Sequence, residues 1–255
     1  MARIGFITPS SNTVLEPETY RMLAGVDGVT VHFARFQVLK IATDDDALNQ
    51  FDLAPQLAAA ESLADCRPDV IAWCGTSGGW MGLERDRALC AAITERTGCP
   101  ATTSTLAQIA AFRELGAHNY ALVTPYLSTI QSRIVETFGD EGFACVAEEH
   151  LEDPGNFSFS TYGPDVISAM VRRVAEKAPD AISIFCTNFD GVRIAPLLER
   201  ELGIPVIDST ALTLWHSLVL AGLDPAIVGN QGVLFQKSGA GSDRPTAGVA
   251  SSSSS

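Results

Sequence analysis

Pro68-Asp69-Val70-Ile71-Ala72-Trp73-Cys74-Gly75-Thr76 is echoed, without a gap, by Pro179-Asp180-Ala181-Ile182-Ser183-Ile184-Phe185-Cys186-Thr187. Each copy reads as a turn, a short apolar run suited to burial on both faces of a parallel sheet, and a polar residue at the strand's carboxyl end. The correspondence extends in both directions. Ile7-Thr8-Pro9-Ser10-Ser11-Asn12-Thr13 is echoed by Val123-Thr124-Pro125-Tyr126-Leu127-Ser128-Thr129, and Gly98-Cys99-Pro100 through Ser104-Thr105 by Gly203-Ile204-Pro205 through Ser209-Thr210. Three echoes in the same order, at offsets of 116, 111 and 105, imply a duplicated unit whose loops differ slightly in length.

Around these anchors, short β-rich runs alternate with helical patterns. Strands are predicted at Ile4–Thr8, Thr30–Phe36, Val70–Trp73, Tyr120–Thr124, Ala144–Ala147, Ala181–Phe185 and Pro205–Ile207. Helices are predicted at Ala54–Ala64, Glu84–Thr97, Leu106–Leu115, Leu127–Phe138, Val166–Lys177, Arg193–Leu202 and Leu212–Leu220. The alternation predicts an α/β fold of two pseudo-symmetric, flavodoxin-like parallel-sheet domains, with the active site in the cleft between them. The expected division is residues 1–115, joined by 216–236, for the first domain and 116–215 for the second. Residues 237–255, rich in Gly, Ser and Pro, are expected to be a disordered tail.

Composition narrows the function. Seventeen Lys and Arg against thirty Asp and Glu give a net charge of −13, a field that repels phosphate backbones and anionic lipid, so neither nucleic acid nor membrane is an expected partner. Any small anionic substrate must then be held by locally aimed N–H and hydroxyl donors. Six scattered cysteines without CxxC spacing argue against a disulfide framework and a zinc site, and predict a reduced, cytoplasmic protein. No signal peptide or membrane-spanning segment is read at the N-terminus. His32, His118 and His150 lack metal-ligand spacing, and Asp44-Asp45-Asp46 reads as a solvated loop or helix start. Without a phosphate-binding loop or dinucleotide fingerprint, nucleotide binding is not expected, and the histidine and cysteine spacings predict no metal.

Asn12, Thr76, Tyr126 and Thr187 each follow a predicted strand, where open parallel sheets bind ligands; taken singly, each is better read as an ordinary turn or capping residue. Cys186 is distinguished from the other cysteines by its place in the duplicated strand end, where turn amides can act on its thiol. Its repeat counterpart is Gly75, whereas Cys74 corresponds to Phe185 and, one residue earlier on its strand, should point away from the cleft. One working thiol is therefore expected. Gly75-Thr76-Ser77-Gly78-Gly79 also fits a G-x-S-x-G elbow, with Asp208 and His216 following in hydrolase order. Continuation of the glycines through Gly82, and the apolar helix around His216, favour Thr76 and Ser77 as donors in a carboxylate-binding nest. Trp73, Trp80 and Trp215 read as core or pocket wall.

Pro9-Ser10-Ser11-Asn12-Thr13, with Glu16 and Glu18, resembles the opening motif of maleate cis-trans isomerases, while Gly75-Thr76-Ser77, Thr124-Pro125-Tyr126 and the Cys186 strand end resemble arylmalonate decarboxylase. Both belong to the aspartate/glutamate racemase superfamily. The resemblance, running from about Arg3 to Leu220, implies two pseudo-symmetric domains and cofactor-free chemistry at a carbon flanked by carboxylates. Racemases and isomerases of that superfamily use two cysteines, the first at the position Gly75 holds here; the decarboxylase branch has glycine there. Carried over, Thr76, Ser77 and Tyr126 would hold the retained carboxylate in a dioxyanion hole, and an apolar pocket would expel the other. Cys186 would protonate the carbanion, and Asn12 matches the isomerase motif as a further carboxylate binder. The leading expectation is a decarboxylase of a malonate-like dicarboxylic acid. Its alternatives are a maleate isomerase or Asp/Glu-type racemase, a serine hydrolase using Ser77, and a non-catalytic carboxylate-binding protein. The oligomeric state stays open.

Overall fold

The computed structural model describes residues 1–38 and 53–237. Within them, β1 (Ala2–Pro9), α1 (Leu15–Met22), β2 (Val29–Phe36), α2 (Leu53–Ala64), β3 (Val70–Trp73), α3 (Gly78–Met81), α4 (Leu83–Thr97), β4 (Ala101–Thr103) and α5 (Ser104–Leu115) form the first half. The second half follows with β5 (Asn119–Thr124), α6 (Ser128–Asp140), β6 (Ala144–His150), α7 (Pro164–Ala175), β7 (Ala181–Ile184), α8 (Ala195–Leu202), β8 (Val206–Asp208) and α9 (Ser209–Leu220). A short α10 (Val233–Lys237) ends the described chain.

Each half is a four-stranded sheet, ordered β2-β1-β3-β4 and β6-β5-β7-β8, and every described pairing is parallel. The register carries the duplication to single residues. Ile4 pairs with Val70; moving these along the chain by the sequence offsets of 116 and 111 gives Tyr120 and Ala181, themselves partners. Ile71 pairs with Ala101, and the same operation, with 105 for the second residue, gives Ile182 and Val206, again partners. The α/β expectation therefore holds at the level of strand order and register. The inner strands β3 and β7 are buried at every position, as helices on both faces require.

Four elements differ from the sequence reading. β4 is a strand where none was predicted, being only three residues long, and α1 forms despite Pro17, which the first turn of a helix tolerates. A short α3 begins directly after Ser77, inside the glycine run that reads against a helix there, and α10 lies beyond the last predicted helix. Lys237, the first residue assigned to the disordered tail, closes α10; the rest of that tail and Asp44-Asp45-Asp46 lie outside the described residues. No helix among the described residues is long and apolar enough to cross a membrane.

The halves are stitched together by buried polar contacts. Ser183 Oγ donates to Gln108 Oε1 at 2.7 Å, and α9, which follows the second sheet, bonds the first half through Ser104 Oγ and Thr213 Oγ1 at 2.7 Å. Buried Glu18 on α1 accepts from Arg193 at 2.7 and 2.9 Å and from Arg21. Burial alone would push its carboxyl up, but the hydrogen bonds from Arg193 and Arg21 hold it below the ordinary value of 4.5.

A carboxyl with a depressed folded pKa stabilises the fold above its unfolded value and loses that contribution as pH falls through the folded one. Glu18→Gln is therefore expected to cost about 1–2 kcal/mol at pH 7, where hydrogen bonds to a charged group are lost. The deficit relative to the native chain should shrink as pH drops below 4.5, as read by denaturant titration at several pH values.

Candidate active site

The carboxyl ends of β1, β3, β5 and β7 converge on one narrow cleft. Its walls include Gly75, Thr76, Ser77 and Trp80 after β3, Tyr126 after β5, and Cys186, Thr187 and Asn188 after β7. Pro9, Val38, Trp73 and Asn156 complete the lining. Six of the seven residues nominated from sequence thus share one opening.

The seventh, Asn12, stands beside the cleft with its carboxamide fully committed. Its Oδ1 accepts from the Val14 and Leu15 amides at 3.0 and 2.9 Å, capping α1, and its Nδ2 donates to Thr187 O and Oγ1, both at 3.1 Å. Thr187 Oγ1 in turn donates to Cys74 O at 3.0 Å. The strand ends of both halves are therefore fixed to one another immediately behind the residues that face the cleft.

The loop after β3 turns into α3 with Ser77 at the cap position. The Thr76 carbonyl accepts from Gly79 N, and the Ser77 carbonyl from Trp80 N and Met81 N, so these amides are spent within the turn and the donors it offers the cleft are the side-chain hydroxyls. Gly79 is required here because a Cβ would come within 2.7 Å of the Phe185 ring, in the other half. Thr76 Oγ1 and Tyr126 Oη lie 2.7 Å apart, and the Trp80 and Tyr126 rings meet edge-on at 5.2 Å. The hydroxyls of Thr76, Ser77 and Tyr126 are all buried, which strengthens any hydrogen bond they offer an anion.

Cys186 lies among them, 4 % exposed. Burial pushes its thiol up to about 12, against the lowering effect of hydrogen bonds from Tyr126 and the Asn188 amide, the latter at 3.4 Å. At neutral pH the sulfur keeps its proton, which suits a proton donor better than a nucleophile. Cys74 is absent from the cleft lining; its thiol faces Ala72 O on its own strand at 3.6 Å, and burial raises it well above the ordinary range. The alternation of strand side chains thus separates the two cysteines as expected.

At Gly75, the repeat counterpart of Cys186 in the same cleft lining, the space is not vacant. A Cβ on Gly75 would lie 2.1, 2.3 and 2.8 Å from Cζ2, Cε2 and Nε1 of Trp73, whose indole fills the space a side chain would need. That ring packs on Phe36 at 5.0 Å and donates from Nε1 to Ser77 Oγ at 3.3 Å.

The hydrolase alternative is overturned. Ser77 has the Trp73 indole as its partner, and Asp208 caps α9 by accepting from Thr210 N and Ala211 N. His216 bonds Thr102 Oγ1 at 2.9 Å and stacks on Trp215, with burial pulling its pKa down to about 4. These groups form no triad. The sequence reading also missed Asn156, which has no repeat echo and reaches the cleft on an irregular loop, donating to Val38 O at 3.2 Å. Asn188 bridges to it through Asn156 O at 2.7 Å, so the pocket is less apolar than the resemblance implied.

A two-sheet duplicated α/β enzyme with one buried thiol between its halves is the class these observations define. A family profile described as arylmalonate decarboxylase matches residues 4–235, and the chain belongs to that family. It is 27% identical over 229 residues to a maleate isomerase of Geobacillus stearothermophilus, covering 85% of this chain and 90% of the relative. It is 28% identical over 172 residues to an arylmalonate decarboxylase of Bordetella bronchiseptica, covering 66% of this chain and 72% of the relative. In fold it is similar to a mutant Nocardia farcinica maleate cis-trans isomerase with a covalently bound succinylcysteine intermediate, with a TM-score of 0.86 and 24% identity over 92% of this chain and 98% of that one. The branch read from the motifs, which joins maleate isomerases and arylmalonate decarboxylase, is thereby shown, and with it an enzyme of one of these two types.

A thiol held near 12 should be alkylated slowly by iodoacetamide at pH 7.5, and faster as pH rises toward 10. Because the Tyr126 hydrogen bond lowers it, Tyr126→Phe is expected to slow labelling of Cys186 further at each pH, measured by peptide mass spectrometry.

Proposed function

We propose that this chain is a cofactor-independent decarboxylase of a malonate-like dicarboxylic acid, with Cys186 as the proton donor. The observation that carries this reading is that a single thiol lines the cleft while the Trp73 indole fills the side-chain space at its repeat counterpart, Gly75. One carboxylate is held by the hydroxyls of Thr76, Ser77 and Tyr126, acting as a dioxyanion hole. Cleavage of the bond to the other carboxylate releases CO₂ and leaves its electron pair as an enediolate on the retained group. Fixed donors stabilise that charge as it develops, each worth about 3 kcal/mol in systems where one has been removed. Pro9, Val38, Trp73 and Trp80 supply the apolar side of the cleft, which disfavours the leaving carboxylate relative to neutral CO₂. Cys186 then gives its proton to the α-carbon, and the thiolate regains one from solvent. An enediolate is a far stronger base than a thiolate, so even a thiol near 12 is acid enough.

Asn12 acts in this reading as a positioning residue for Thr187, and Thr187 as the link between the halves. The substrate is read as a small dicarboxylate, and the six free cysteines favour the cytosol as the compartment. Asn156 and Asn188 favour a second reading, maleate cis-trans isomerisation, because both line the cleft and each Nδ2 has one N–H beyond its bond to Val38 O or Asn156 O, a donor for a second carboxylate that is kept.

The test is CO₂ release from a panel of α-substituted malonates, run beside a maleate-to-fumarate assay. The expected result is CO₂ release that falls by at least about a hundredfold in Cys186→Ala and by about 10²–10³ in Thr76→Ala, the scale for loss of one oxyanion donor. Fumarate formation without CO₂ release from any malonate rejects the decarboxylase.

A further inference from the structure

We propose that Trp73 is the specificity-determining residue of the cleft: its indole fills the space over Gly75 and so sets the size of the group a substrate can carry on the side opposite Cys186. The inference rests on the carboxylate-binding site described above and deepens it. Trp73 ends β3 and Gly75 follows two residues later, with the indole lying back over the Gly75 backbone. The ring atoms lie 2.1–2.8 Å from where a Cβ at 75 would stand, so the indole, and not open space, forms that wall. It is held from two directions, by Phe36 at 5.0 Å and through its N–H to Ser77 Oγ at 3.3 Å, and is 1 % exposed.

The duplication supplies an internal comparison. The repeat counterpart of Trp73 is Ile184, whose Cδ1 packs toward Gly191, 2.7 Å from a Cβ built there, and Ile184 is not part of the cleft lining. The same frame therefore places a thiol on one side, with its neighbouring aliphatic side chain turned aside. On the other side it places a glycine with a fused bicyclic indole laid across it. A wall of that size, fixed at both edges, leaves room for a small or flat substituent and closes the face that a second acid would occupy.

Calorimetric binding of monocarboxylates with α-methyl, α-isopropyl and α-phenyl groups tests this without requiring turnover. In Trp73→Leu the affinity ratio of the phenyl to the methyl compound is expected to rise by about tenfold or more, the scale for apolar room gained in a pocket. In Trp73→Phe, which keeps most of the wall and loses the N–H to Ser77, the rise should be smaller. An unchanged ratio in a folded Trp73→Leu, or no binding of any of the three by the native chain, overturns the proposal. Thermal unfolding of Gly75→Ala provides a second reading: it should lower Tm in the native chain and lower it no further in the Trp73→Leu background. Equal losses in both backgrounds also overturn it. Assaying CO₂ release with the matching malonates separates the two claims, since a ratio that moves without any CO₂ rejects the decarboxylase and leaves Trp73 as the wall.

Discussion

Thr187 carries the junction on which the site depends. Its carbonyl and hydroxyl both accept from Asn12, and its hydroxyl donates to the carbonyl of Cys74, so one buried residue joins the ends of β1, β3 and β7. A buried network satisfied on every side is rigid, because breaking any member leaves a desolvated polar group. This rigidity fixes the β3 loop, with its hydroxyls, against the β7 strand end and its thiol. A substrate clamped between the two halves thus meets donors that are already aimed, and little reorganisation remains for the reaction itself.

Upon a symmetric frame the chain places unequal chemistry. Register and strand order repeat in both halves, but the equivalent strand ends read Trp73-Cys74-Gly75 and Ile184-Phe185-Cys186. Because side chains alternate in direction, a thiol at the middle position is buried in its own half, whereas a thiol at the last position faces the cleft. Burial that would cripple a nucleophile leaves a proton donor competent, and the high pKa of Cys186 matches the second role. The apolar walls keep that proton on sulfur until a strong base forms beside it. Asn156 and Asn188 interrupt the apolar lining, and they mark where this cleft departs from a purely hydrophobic leaving-group pocket.

Most of the architecture was legible because duplication and burial leave marks in sequence. Val70–Trp73, buried on both faces, read directly as a strand, and the three echoes fixed which strands correspond. β4 was the exception, although its echo in the Pro205–Ile207 strand held the signal. Cys186, Thr76, Ser77 and Tyr126 were found by the same logic, since residues after strands in a parallel sheet share one edge. What the sequence concealed depends on packing between distant segments. The indole of Trp73 covers Gly75 because Phe36 and Ser77 hold it there, and neither contact follows from strand periodicity. Asn156 comes from a loop with no counterpart in the first half, so no repeat pointed to it. Asn12 was visible as a polar residue after a strand, but that its carboxamide is consumed by α1 and Thr187 was not.

The claim at the centre is that one sulfur delivers one proton to one face of the substrate. Turnover of a prochiral malonate in D₂O, with the product analysed by chiral chromatography and mass spectrometry, tests it most directly. The account predicts a product with a single deuterium at the α-carbon in one configuration, formed only while Cys186 is present. A racemic product, or one formed undiminished by Cys186→Ala, would contradict it.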